Sequence, residues 1–238
     1  MAHIRPYRDT DLRDVYDICV RTADAGGDAR GKYHRDDLMP DLFAGPYVFL
    51  EPDFAFVLDD GQRAVGYVLG TPDTAAFVRA YRERWIPRLA DRYPVPPATS
   101  APPATSAPPA TPAPPATPAP PATPAFPGNS GPPAPPASPD DEMIALHYRP
   151  ERLLWSGLDA YPAHLHIDLL PPFQGAGHGR ALMETFYAAA ARAGAPGVHL
   201  TVLAANTRAI GFYRHLGLRR LDPAEPGESH VVYLGREL

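Results

Sequence analysis

"HLHIDLLPPFQGAGHGRALMETF", residues 164–186, decides how the rest of the chain is read. An apolar strand runs into two prolines, then three alternate glycines, then a stretch with helical spacing. Glycines between a strand end and a helix start let the backbone turn sharply and come close to a ligand. The unpaired amides of the helix N-terminus, helped by the helix dipole, attract anions. Gly175, Gly177 and Gly179 therefore read as a phosphate loop. Two common phosphate loops are excluded by spacing. A P-loop needs Gly-Lys-Ser/Thr, but Arg180 and Ala181 follow Gly179. A dinucleotide fingerprint needs a glycine where Arg180 stands. What remains is Gln-x-x-Gly-x-Gly, from Gln174 to Gly179.

Outward from this loop, strand and helix patterns alternate. "HIRPYR" (3–8) reads as a first strand. Asp9 or Thr10 is placed to cap a helix over "DLRDVYDICVRTA", where Leu12, Val15, Ile18 and Cys19 keep helical spacing. A short helix over 36–43 is expected to break near Pro40. "FAFVLDDGQRAVGYVLG" (54–70) predicts a hairpin turning at Asp60-Gly61. Residues 74–93 predict a helix kinked at Pro87. After the loop come a helix (178–193), a strand (198–203), a helix (207–217) and a last strand (230–238). The expected class is a mixed α/β sheet covered by helices.

Composition narrows the partners. The chain has 238 residues, a formal charge of -5 and only one lysine, Lys32. No basic cluster of the kind nucleic-acid binders carry is present, so no nucleic-acid partner is expected. No apolar run nears the ~20 residues that span a bilayer, so no membrane partner is expected either. The N-terminal "MAHIRPYRDTDLRD" lacks the apolar core of a signal peptide. Cys19 is the single cysteine and has no internal disulfide partner, which suits a reducing compartment. A cytoplasmic location is the expectation.

Of the 33 prolines, 20 fall within 94–139, where "PPATSA" repeats at 96 and 102 and "PPATPA" at 108, 114 and 120. A repeat with no apolar face and few backbone donors is expected to be a disordered, polyproline-rich spacer. Neither flank alone spells a complete sheet. One domain over 1–238 with 94–139 inserted in a loop is therefore expected. Long surface loops add little closure entropy.

The Gln174–Gly179 pattern resembles the pyrophosphate loop of the GNAT superfamily of N-acetyltransferases. "LTVLAANTRAIGFYRHLGLRR" (200–220) is similar to that family's next strand and helix, through Asn206, Ala209, Phe212-Tyr213 and Leu216-Gly217-Leu218. "YPAHLHIDLLP" and the ending "VVYLGREL" look like bacterial acetyltransferases related to the acetyltransferase-like domain of O-GlcNAcase. The resemblance runs end to end, apart from the proline tract. It implies an acyl-CoA N-acyltransferase fold, with a mixed central sheet splayed between strands 4 and 5 and flanked by helices. It implies acetyl-CoA as co-substrate, an amine acceptor of unknown identity (small molecule or protein lysine), and attack without a covalent enzyme intermediate. It leaves a homodimer open. The cofactor would be held by Leu169 and Leu170 backbone, by Gln174, Gly175, Ala176, Gly177, His178, Gly179 and Arg180, and by Asn206, Ala209 and Phe212.

Acetyl transfer needs an amine stripped of a proton and a thiolate that can leave. Asp168 shares one strand face with His164 and His166 by alternation. It reads either as the general base or as a structural carboxylate. The His-x-His-x-Asp face has metal-ligand chemistry, but no further ligand cluster accompanies it, and no metal is assigned. Tyr213 matches the family's tyrosine that protonates the departing thiolate, and otherwise is a core aromatic. Asn206 is also placed to cap the helix that follows it. Arg214, His215, Tyr148 and Tyr161 are weaker candidates. Two other functions fit the same residues: a non-catalytic acetyl-CoA-binding protein, or a scaffold working through its proline tract. On the spacer reading, excising 96–125 should leave stability within about 1 kcal/mol of the full chain, since loop closure varies slowly with length; a thermal melt of the two proteins checks it.

Overall fold

The strand that enters the glycine loop is the fourth of a sheet ordered β1-β2-β3-β4-β5-β7-β6. The computed structural model describes residues 2–95, 138–223 and 230–238. The expected spacer therefore lies, for 96–137, outside the described residues. The strands are β1 (His3–Pro6), β2 (Ala55–Asp59), β3 (Ala64–Thr71), β4 (Ala163–Leu169), β5 (Gly197–Leu203), β6 (Arg219–Leu221) and β7 (Val231–Glu237). All pairings are antiparallel except β4 with β5. β3, before the proline tract, pairs with β4, after it, over six residue pairs.

β3 is buried at all eight positions. Helices cover both of its faces, which is why "AVGYVLGT" is an unbroken apolar run rather than an alternating one. On one face lies α7 (His178–Arg192), whose Leu182, Met183 and Phe186 are fully buried. On the other lie α1 (Leu12–Val20), α2 (Leu38–Phe43) and α3 (Gly45–Leu50), with Val15, Ile18, Cys19, Leu38 and Tyr47 buried. The hairpin turns where expected. Asp59 accepts from the Gly61 amide and Asp60 from the Gln62 and Arg63 amides.

Several boundaries differ from the sequence reading. Asp9–Asp11 form a 3-10 turn, and neither Asp9 nor Thr10 caps α1. Asp11 instead turns its carboxylate back to the Arg8 amide and to Arg5, which also holds Asp59. Pro40 does not break α2, because it sits in the first turn, where no amide donor is needed. α3 and β6 were not legible as separate elements. The expected helix over 74–93 is α4 (Thr74–Ala80), a wide π turn (Tyr81–Trp85) and α5 (Ile86–Leu89). The wide turn lies directly ahead of Pro87, whose missing N–H breaks the regular ladder. After the tract, α6 (Pro139–His147) is capped by Ser138 and leads into a 3-10 turn, Pro150–Leu153. α8 (Thr207–His215) follows β5. Among the described residues no helix is long and apolar enough to cross a membrane.

Gly70 marks the tightest point between sheet and α7. A Cβ there would stand 2.3 Å from the His164 carbonyl oxygen and 2.5 Å from the Phe186 ring. Gly70→Ala should therefore lose about 3 kcal/mol, the upper range for overpacking a core, read as a lower urea midpoint.

Candidate active site

β4 is held unequally on its two sides. β3 pairs with it from Gly66↔Leu169 to Thr71↔His164, but β5 pairs only at Ala163↔Val198 and His164↔His199. Beyond His164 the strands part. The Leu170 amide donates to the Val65 carbonyl. By the alternation of an antiparallel ladder, even-numbered residues of β4 bond to β3, and Ile167 and Leu169 turn their main-chain groups toward the gap. This corrects the expectation of Leu169 with Leu170: the Leu170 N–H is already used. The Leu169 carbonyl accepts from the Gln174 side-chain amide at 2.8 Å, so Gln174 ties the loop to the strand end.

The three glycines do different work. Gly175 and Gly177 have φ of 78° and 84°, a region that costs other residues strain. No atom lies within 4 Å of a Cβ built on either, so both face open space. Gly177 is the N-cap of α7 and carries no side-chain cap. The first-turn amides, from His178, Gly179 and Arg180, lack intrahelical acceptors by helix geometry. Gly179 instead serves packing, with its built Cβ 3.1 Å from the Phe212 ring. Ala176 and Arg180 are exposed and His178 half-buried. Arg180 lies 3.8 Å from Glu184 across one helical turn. Asn206 accepts from the Ala209 amide at 3.1 Å and so is the N-cap of α8. Phe212 packs against Tyr213, ring centroids 5.3 Å apart. These groups have the donor chemistry and the open glycine corner that a diphosphate requires.

On the opposite face of β4, Asp168 lies across from Tyr67, whose hydroxyl donates to it at 2.7 Å. Burial pushes the Asp168 carboxyl up to about 7, against the opposing hydrogen bonds of Tyr67 and Thr22. The folded chain thus holds this proton more tightly than the unfolded one. Asp168 favours folding fully below its unfolded pKa, and that contribution is lost as pH rises through about 7. Tyr67 also reaches the Cys19 thiol, which burial raises well above its ordinary value. Cys19 is an inert, buried thiol. Burial and the Asp168 charge both raise the Tyr213 phenol, so Tyr213 stands in the field of Asp168 as a firmly protonated donor.

The histidines of this face are engaged by interior side chains. His164 is bonded at Nε2 to the Tyr47 hydroxyl and at Nδ1 to Thr74, each at 2.7 Å. His166 lies edge-on to Tyr47 and Phe43 and is pushed down to about 4 by burial. Among the described residues no group of three His, Cys, Asp or Glu is arranged to hold a metal ion. Of the weaker candidates, Tyr148 donates to the Tyr93 carbonyl and Tyr161 stacks on Trp155. Arg214 and His215 are exposed, with His215 bonded to the Gly211 carbonyl. Tyr67 and Thr22 were missed. Their partnership with Asp168 is set by the β3–β4 register and by the end of α1, neither of which one strand's own pattern reveals.

Against known proteins, a model of the acetyltransferase (GNAT) family matches residues 143–218. The crystal structure of SsHAT is similar at 47% identity and a TM-score of 0.78, covering 99% of this chain and 98% of that one. The structure of PH1933 from Pyrococcus horikoshii OT3 shares the fold at 11% identity and a TM-score of 0.56, over 100% of this chain and 99% of that one. Protein O-GlcNAcase of Rattus norvegicus is 25% identical over 235 residues, 99% of this chain, which spans only 22% of that relative's length.

Tyr67→Phe removes a hydrogen bond that favours the ionised carboxylate. The Asp168 midpoint should rise from about 7 by roughly one pH unit, followed by the carbon-13 shift of the carboxyl group.

Proposed function

We propose, on the premise that the chain belongs to the GNAT family of acetyltransferases, that it moves an acetyl group from acetyl-CoA to an amine by direct attack. One observation carries this reading. Where β4 leaves β5, a helix N-terminus with open amides and a carboxylate pushed up to about 7 stand at the same strand end.

Main-chain amides over 175–180 would hold the diphosphate, and Gln174 would fix the loop against Leu169 while they do so. Ala176, His178 and Arg180 border that cradle. Ile167 and Leu169 would offer main-chain groups to an extended amide-bearing arm, as an open strand edge does for a peptide. Asn206, Ala209 and Phe212 would form the opposite wall through α8. Bound acetyl-CoA supplies the activated thioester. Asp168 would take the proton that the attacking ammonium must lose, directly or through a water. A carboxylate with a midpoint near the working pH suits that task better than an ordinary one at about 4. Tyr213, kept protonated, would donate to the leaving sulfur. Cys19 stays outside the chemistry. The same reading takes 1–238 as one unit with 94–139 in a loop, supported by the β3–β4 ladder that joins its two flanks, and assigns it to the cytoplasm.

Calorimetric titration with acetyl-CoA, then thiol release over an amine panel, tests this. For accepted amines, kcat/KM should rise with pH along a limb near 7 as Asp168 ionises. Asp168→Asn should abolish that limb and lower kcat by about 10²–10⁴-fold, with acetyl-CoA affinity unchanged. Absence of acetyl-CoA binding would overturn the whole reading. Binding without turnover would leave a non-catalytic acetyl-CoA protein.

A further inference from the structure

Among the described residues, two buried donors beside β4 have nothing to donate to. The Nε–H of Arg152 and the Nε1–H of Trp155 lack a hydrogen-bond partner among the described residues. Guanidinium and indole are donors only, and a folded chain rarely leaves such groups unpaired. Both stand on the connector between α6 and β4. Trp155 packs edge-on to His199, whose ring lies 5.7 Å from that of His164.

Arg152 is the more informative of the two. Among the described residues its guanidinium is in no ion pair, because the adjacent Glu151 is taken by Arg82. Its Cζ stands 5.6 Å from the Phe43 ring centroid, and Phe43 lies 5.8 Å from the His166 ring. Its charge acts on both His164 and His166, which burial already holds neutral. The surroundings are thus rings without a counter-charge. His166 is two residues before Asp168 on the same strand face, about 7 Å along the strand. Arg152 therefore stands, through Phe43, beside His166, and Asp168 follows His166 by two residues on the face of β4 that turns away from α7.

We infer that Arg152 binds a carboxylate carried by the acetyl acceptor, so that the acceptors are short-chain amino acids whose amine reaches Asp168. This rests on the reading above that the acceptor amine comes to Asp168. A planar carboxylate matches the Nε and one Nη of a guanidinium with two parallel bonds. A phosphate, with up to two charges, would call for a second cation, and Arg152 is the one cation acting on His166.

The test measures thiol release by the full chain with acetyl-CoA and matched acceptors: glycine, β-alanine and 4-aminobutyrate, their amides, and aminoethyl phosphate. The free chain should favour each amino acid over its amide by at least about tenfold in kcat/KM. Arg152→Met, which keeps a long apolar stem against Phe43, should lower kcat/KM for the amino acids about 10–100-fold, the scale of a charged hydrogen bond, chiefly through KM. The amides should be unaffected, and Arg152→Lys should fall between. Equal loss for acids and amides, a preference of the wild type for amides, or a preference for aminoethyl phosphate would each overturn the assignment. A protein that turns over no amine refutes the reaction, and Arg152 is then judged alone by calorimetry with N-acetyl-β-alanine and CoA. Binding lost in Arg152→Met and retained in Arg152→Lys upholds it, and no binding to the wild type overturns it. Melting curves report whether Arg152→Met is folded; if it is not, the Lys variant carries the comparison.

Discussion

A strand inside a sheet ordinarily spends its backbone groups on both neighbours. β4 does so only at its start, where Ala163 and His164 meet Val198 and His199. From there on it is bonded to β3 alone, and Ile167 and Leu169 face a gap. Main-chain groups in such a place need partners, and the chain supplies one itself, through Gln174 and the Leu169 carbonyl. That single side-chain bond fixes where the loop leaves the strand. It thereby fixes the path through Gly175 and Gly177 and the point at which α7 begins. The open glycine corner ahead of α7 and the open strand edge are two results of one early separation.

The other face of the same strand shows how charge is arranged around it. Tyr47 and Thr74 occupy both nitrogens of His164, and burial holds His166 and His199 near 4. At neutral pH the three imidazoles are uncharged. The carboxylate of Asp168 is then not neutralised by a neighbouring cation, and desolvation is free to raise it. Tyr67 and Thr22 limit the rise without abolishing it. Had His166 been charged, the carboxyl would have been drawn down toward its ordinary range and would be a weak base. Beyond these neutral rings stands the Arg152 guanidinium, in no ion pair among the described residues, over the Phe43 ring.

How much of this was legible follows from range. The glycine loop, the hairpin at Asp60-Gly61 and the helix after Gly177 are local, written in spacing and turn chemistry, and they stand where the sequence put them. Asn206 was legible too, as a cap. What was misread depended on contacts distant in sequence. Asp11 serves Arg5 rather than the helix behind it, because β1 and β2 bring Arg5 and Asp59 together. Leu170 was taken as free, because the parity of the β3–β4 ladder is a property of two strands and not of one. Gly179 looked identical to Gly175 and Gly177, yet it is there for Phe212, contributed by a helix some thirty residues on. Arg152 carried no sequence signal at all. Its interest lies in an Nε–H without a partner among the described residues, which only the three-dimensional arrangement reveals.

α6 is placed by contacts that do not run through the proline-rich tract. α6 opens directly after the tract and leads into the turn that carries Arg152. Its placement is set by bonds to elements on the far side of the tract. Asp140 accepts from the His34 amide, His147 bonds the Tyr81 hydroxyl, Tyr148 reaches the Tyr93 carbonyl, and Glu151 clasps Arg82. Each of these joins residues 50 or more apart in sequence, so each closes the chain on itself whatever the length between. Once those contacts exist, lengthening the intervening segment changes only a logarithmic closure term. A repeat can therefore expand there while α6 and the turn after it keep these bonds.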